Sequence, residues 1–173
     1  RDGIAAGPDL PWCAAKALEL GGRPRTDGLE LDWSNGQSRW PAALLTGFGA
    51  PWNTLKLDGV LDLSMQDFVL RWSGSKLTLA GRATLDATAL SSTLPTVKPM
   101  GSYRLALEGG PAPTLLLTTR EGSLQLSGSG RWSGTSLRFD GEASAAPGRE
   151  DVLSNLLNII GRRDGARSLI TLG

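Results

Sequence analysis

The chain is 173 residues long and carries 18 Lys and Arg against 17 Asp and Glu, a formal net charge of +1. A nearly neutral chain without a basic block has no field to draw in nucleic acid. With no His and one Cys (Cys13), it cannot assemble a His-dependent nucleophile system, a His metal site, an internal disulfide or a Cys-rich zinc or iron–sulfur centre.

No stretch approaches the roughly 18 apolar residues of a membrane-crossing helix. Unbroken apolar runs are short, among them Ala42 to Leu45 and Leu115 to Leu117. The chain begins at Arg1 without a Met or a signal-like apolar segment, so a processed piece is expected, its targeting segment lying outside.

The first 50 residues read as an irregular N-terminal part of a single domain spanning 1–173. Asp9-Leu10-Pro11 could open a short helix ending at Gly21-Gly22. Leu29, Leu31 and Trp33 alternate with Glu30 and Asp32, the pattern of a strand, and Asn35-Gly36 predicts a turn after it. Pro41 to Leu45 predicts one or two helical turns stopped by Gly47.

From residue 54 a period of two takes over. Leu55, Leu57, Leu61 and Leu63 share one face, followed by Phe68, Leu70 and Trp72, then Leu77, Leu79, Ala83 and Leu85. Tyr103, Leu105 and Leu107, then Leu124, Leu126 and Trp132, then Leu137, Phe139 and Ala143 continue it. Charged and hydroxyl residues alternate with them, so six or seven strands are expected, one face apolar and one wet, as in antiparallel sheets. The stretch from Ala87 to Pro99 lacks alternation and predicts a long connection dividing the sheet region. Val152, Leu153, Leu156, Leu157 and Ile160 predict an amphipathic helix over 149–161, with Glu150 and Asp151 at its start and Gly161 at its end. Leu169 to Leu172 predicts a final short strand.

Arg71-Trp72-Ser73-Gly74 recurs as Arg131-Trp132-Ser133-Gly134. At this offset residues 51–83 and 111–143 share 11 identities without a gap, where roughly 3 are expected by chance. Residues 51–86 and 111–146 are accordingly read as related repeat units. Inside them a smaller unit, apolar-x-apolar-x-Gly, places Gly59, Gly81, Gly128 and Gly141 on the apolar parity. Glycine there bends a strand and leaves room for a bulky neighbour, so strong curvature is expected, with aromatic rings over the glycine gaps.

Chemistry-bearing constellations are missing. Gly128-Ser129-Gly130 lacks the helix and third glycine of a phosphate loop, and Asp58 and Asp62 lie on a wet face with nothing apolar to raise a pKa. Neither a cofactor nor a metal site is expected. Cys13 reads as a small buried residue, the alternative being a thiol whose partner lies outside this chain. Six Trp residues stand out. Trp72 and Trp132 follow the alternation and are expected in the core, whereas Trp33, Trp40 and Trp52 lie near loops, as core lids or partner anchors. With Leu156, Leu157 and Ile160 of the terminal helix, they make up the candidate partner or ligand surface.

Trp40-Pro41-Ala42-Ala43-Leu44-Leu45 and Pro51-Trp52-Asn53-Thr54-Leu55 resemble the type II secretion system protein N family. So do Leu90-Ser91-Ser92-Thr93-Leu94, Pro99-Met100-Gly101-Ser102-Tyr103-Arg104-Leu105, Leu124-Gln125-Leu126-Ser127-Gly128, Arg138 to Ala145, and Asn155 to Ser168. The resemblance covers residue 30 to the C-terminus. It implies a non-enzymatic accessory component of protein secretion, with a β-rich periplasmic domain that contacts the inner-membrane platform or the secretin. It also implies an inner-membrane helix outside this chain, in a Gram-negative bacterium. The family is in turn similar to the AsmA-type families, whose curved sheets present an apolar groove to lipid. A lipid-binding sheet is therefore the alternative function. The fold expected is all-β: a strongly curved antiparallel sheet or open barrel-like roll with one or two short helices, the alternative being a two-sheet sandwich.

Overall fold

A computed structural model describes residues 4–5, 18–48, 55–93 and 98–173. The described residues form one twelve-stranded antiparallel sheet. In order these are β1 (Ile4–Ala5), β2 (Glu19–Arg25), β3 (Gly28–Trp33), β4 (Gly36–Pro41), β5 (Asp58–Ser73) and β6 (Lys76–Ser91). They continue with β7 (Gly101–Gly110), β8 (Thr114–Gly122), β9 (Leu124–Ser133), β10 (Ser136–Ala145), β11 (Arg162–Asp164) and β12 (Arg167–Leu172). A 3-10 helix spans Ala42–Phe48 and the helix α1 spans Glu150–Ile160. The spatial order is β1-β2-β3-β5-β6-β7-β8-β9-β10-β12-β11, with β4 beside β5, and the path leaves the sheet open. This is the all-β, single-sheet architecture expected from the alternation.

Three sequence expectations are corrected. Residues 19–41 are not irregular but form β2, β3 and β4. Asn35-Gly36 is not a hairpin turn: β3 pairs Val69–Ser73 of β5 and β4 pairs Val60–Met65, both antiparallel, so the chain runs on in one direction. Asn35 is spent on a bulge instead. Its Oδ1 accepts from the Asp67 N–H at 2.5 Å and its Nδ2 donates to Asp67 Oδ1 at 3.1 Å. The long connection after Ala87 is shorter than expected, because β6 continues to Ser91 and pairs β7 directly. A bulge at Ala89, whose φ is +51°, hides the alternation there.

The bulges align across strands. Register shifts between Gln66 and Val69 on β5 and between Leu79 and Arg82 on β6 form one line. Shifts at Asp58–Val60, Ala87–Leu90 and Ser102–Tyr103 form a second. Each extra residue bends its strand and adds twist, so two transverse lines curl the sheet. The first line also switches the inward parity of β5, from Leu61, Leu63 and Met65 to Phe68 and Leu70. Gly81 sits on that line at φ +79°, against the Asp67 carbonyl, so it is exposed rather than part of the apolar face.

Gly128 and Gly141 are directly opposed, and Phe139 faces Gly130 across the same pair of strands. A methyl at any of these three glycines would meet the Phe139 ring. The aromatic ring over glycine gaps is therefore real in β9 and β10.

The inner face holds two clusters. In the larger, Leu153, Leu156 and Leu157 of α1 pack against Leu57, Leu61, Tyr103, Leu124 and Ala143. Burying each such leucine contributes roughly 1.5–3 kcal/mol. The helix is tied down by Ser168 of β12, wholly buried, whose hydroxyl donates to the Leu157 carbonyl at 2.5 Å. That satisfies one of the carbonyls a helix end leaves without a partner. Gly161 has extended backbone, φ −163°, and leads into β11 rather than capping α1 in a left-handed turn. The smaller cluster centres on Phe68, Leu79 and Ala83, with Trp33 and Trp132 against it. Trp132 comes from β9, three strands from β6, so the sheet curls enough for its inner face to meet itself.

The repeated Arg-Trp-Ser-Gly segments occupy equivalent hairpins. Ser73 pairs Lys76 and Ser133 pairs Ser136, each across a two-residue turn opening on Gly74 or Gly134 at positive φ, the glycine position of a II′ hairpin. Further upstream the match carries no common structure, since Leu55 and Leu57 precede β5 whereas Leu115 and Leu117 lie within β8.

Candidate functional site

The sheet's wet face is a lattice of ion pairs set by register. Arg39, Asp62, Asp86 and Arg104 stand in one row across β4, β5, β6 and β7. Arg39 Nε meets Asp62 Oδ1 at 2.6 Å, and Arg104 grips Asp86 with two bonds of 2.7 and 2.8 Å. The Arg104 hydrogen bonds hold the Asp86 carboxyl below its usual range. On β3, Glu30 lies between Arg71 Nε at 2.5 Å and Arg25 Nη1 at 2.8 Å. Arg71 first, and Arg25 second, hold its carboxyl down. Ser73 does the same for Asp27.

None of these groups suits proton transfer near neutrality. A general acid needs a carboxyl pushed up, and these are pushed down. Tyr103 is displaced the other way: burial raises its phenol, which donates to the Leu124 carbonyl at 2.9 Å and so is committed to the core. Where the first bulge line crosses the sheet, a polar recess of about 270 Å³ is lined by Gln66, Asp67, Gly81, Arg82, Glu108 and Gly109. Its Arg82 and Glu108 are paired to each other at 2.8 Å. Among the described residues no three acidic, His or Cys side chains group as a metal site would require.

The candidate surface residues separate. Leu156 and Leu157 are 1% exposed and belong to the core, because they occupy the stripe of α1 that faces the sheet. Ile160 is half-buried against the same cluster. Trp33 packs edge-on to Phe68, with centroids 5.4 Å apart, as a core lid. Trp40 stays 37% exposed on β4, its indole N–H bonded to Ser38 Oγ at 2.8 Å. Trp52, Cys13 and the start of the short helix expected at Asp9 lie outside the described residues, and its expected end, Gly21-Gly22, lies in the strand β2 instead.

Trp72 corrects its core assignment. It is 52% exposed, paired across the sheet with Leu29, itself exposed, at the hairpin rim. Period-two alternation gives the face a residue occupies, not whether that part of the face is covered, and α1 covers only the other end.

The geometry thus offers paired charges, an open sheet and isolated exposed apolar side chains, the elements of a contact surface. The family model described as type II secretion system (T2SS), protein N, matches residues 18–170. The chain belongs to the type II secretion system protein N family. As such it is an accessory component of type II protein secretion, a machinery of the bacterial envelope. No curated protein and no solved structure matches the chain. Among the described residues, no helix is long and apolar enough to cross a membrane.

Proposed function

We propose that this domain is a non-enzymatic interaction and assembly module of the type II secretion machinery. It works in the periplasm through contacts with the inner-membrane platform or the secretin, and tethering of the full-length protein to the inner membrane belongs to the same proposal. The observation that carries this reading is the family match over residues 18–170. The structure supports it in two ways. The sheet is open, and among the described residues the outer edges of β1 and β11 have no strand paired to them, as pairing with a partner requires. The carboxylates of Glu30, Asp62, Asp86 and Glu108 are each held by an arginine rather than poised for chemistry.

The test is chemical cross-linking of the full-length protein in cells that assemble the apparatus, followed by its purification. Recovery of a platform protein or the secretin is the expected result. Recovery of neither, with the protein itself recovered intact, contradicts the proposal.

A further inference from the structure

We propose that the wet face of β8, β9 and β10 docks an acidic, extended segment of a protein partner, with Leu116 as apolar anchor and Arg131 and Arg138 as carboxylate-binding groups. This rests on the reading of the domain as an interaction module and assigns it a surface and a partner chemistry.

Three observations converge on this place. Leu115, Leu116 and Leu117 are consecutive in β8. Leu115 opposes Gly130 and Leu117 opposes Gly128 on the inner face, so the pleat turns Leu116 to the wet face opposite Ser129. There it is 51% exposed, beside Ala106 of β7. A large apolar side chain on the charged face of a sheet costs solubility, and Leu116 belongs to neither apolar cluster.

Next to it, Arg131 of β9 and Arg138 of β10 are directly opposed, and both are exposed. Like charges placed so are destabilising. Neither has an ion pair with a described residue, although the carboxylates of Asp62, Asp86, Glu30, Glu108 and Glu142 are all paired elsewhere on the sheet. Asp140, the next residue on that face of β10, pairs with neither arginine.

The internal repeat supplies the third observation. Arg131 occupies in its hairpin the place that Arg71 occupies in the other. Arg71 is answered by Glu30 on the neighbouring strand at 2.5 Å. Arg131 finds Thr114 on its neighbouring strand, and Arg138 stands where the other hairpin has Thr78. In the row of the repeated arginine, the second hairpin therefore has Arg138 where the first has Thr78, and Thr114 on the neighbouring strand where the first meets Glu30. An incoming segment with a carboxylate two residues from an apolar side chain presents both on one face at roughly 7 Å. That is the spacing along β8 between Leu116 and Thr114, the residue facing Arg131. Arginine forks binding carboxylates beside a buried apolar anchor are the composition of interface hot spots.

The test places a photo-reactive benzoylphenylalanine at position 116 of the full-length protein, in cells that assemble the apparatus, with position 44 as a second probe site. The expected result is an adduct from position 116 to a type II secretion component, mapped to a stretch rich in Asp and Glu. The double variant R131E/R138E lowers its yield about tenfold, and reversing the charges of the mapped stretch restores it. Should that variant fold poorly, R131Q/R138Q serves. It relieves like-charge repulsion, so its melting temperature is expected to equal or exceed that of the parent while the adduct is lost. Adducts to secretion components from position 44 but not 116 overturn this surface and leave the interaction module standing. Adducts to no component from either position count against both. An adduct from 116 to a second copy of the chain or to lipid, or one indifferent to the arginine changes, overturns the proposal.

Discussion

The Phe139 ring lies over Gly128, in contact with the space that a side chain at 128 would fill. The same ring touches the Gly130 and Gly141 positions, and Phe139 is buried by this backbone although it lies outside both apolar clusters. Glycine on an inward position of a strand has a steric purpose here: it admits an aromatic ring close against the backbone. Gly128→Ala forces the ring or the backbone to shift and is expected to cost about 1–3 kcal/mol, read from urea unfolding. Gly130→Ala, with longer contacts to the ring, costs less.

Gly81 and Gly74 separate two kinds of glycine requirement. Both have positive φ, but a Cβ at 74 meets open space whereas one at 81 enters the Asp67 backbone. Gly74→Ala is expected to cost about 1 kcal/mol from backbone conformation alone. Gly81→Ala adds the clash and loses the first bulge line, so its melting temperature falls well below that of the 74 variant. Equal melting temperatures would mean that the bulge line is not a fixed feature.

The helix α1 closes one end of the inner face. Leu156→Ala or Leu157→Ala is expected to cost about 2–5 kcal/mol. Val152→Ala and Ile159→Ala, on the exposed side of the same helix, should stay within about 0.5 kcal/mol. Thermal unfolding followed by circular dichroism distinguishes them.

Stability should fall in acid through two carboxylates in particular. Glu30 and Asp86 have folded pKa values lowered from ordinary values of 4.5 and 3.8. Their contribution is therefore complete above the ordinary values and is lost as pH drops through the folded ones. Unfolding free energy measured from about pH 6 to about pH 2 should decline in the parent and decline less steeply in Glu30→Gln and Asp86→Asn. A parent curve no steeper than the variants' would show that the arginine clamps add nothing to stability.

Much of the fold was legible because alternation reports a sheet with one covered face. Even the parity switch between Leu63 and Phe68 is visible in the sequence, and it marks the bulge at Asp67. What could not be read was which part of the apolar face is covered. Leu156 and Leu157 look like any exposed helical stripe until β12 and its Ser168 are placed beneath them. Trp72 looks like Trp132 until one sees that only Trp132 reaches the Phe68 cluster. Asn35-Gly36 has the composition of a turn, yet the Asn35 amide bonds Asp67, 32 residues on, a contact that no local pattern encodes. The opposition of Arg131 and Arg138 follows from the hairpin register, but its significance appears only when Glu30 is found answering Arg71.

The domain's role as a contact module is tested most directly by native mass spectrometry of the full-length protein extracted in mild detergent from cells that assemble the apparatus. The account predicts a mass equal to this protein plus a platform protein or secretin subunit, dissociating as that pair. Protein carrying only co-purified phospholipid, with no secretion component in any charge state, would contradict it.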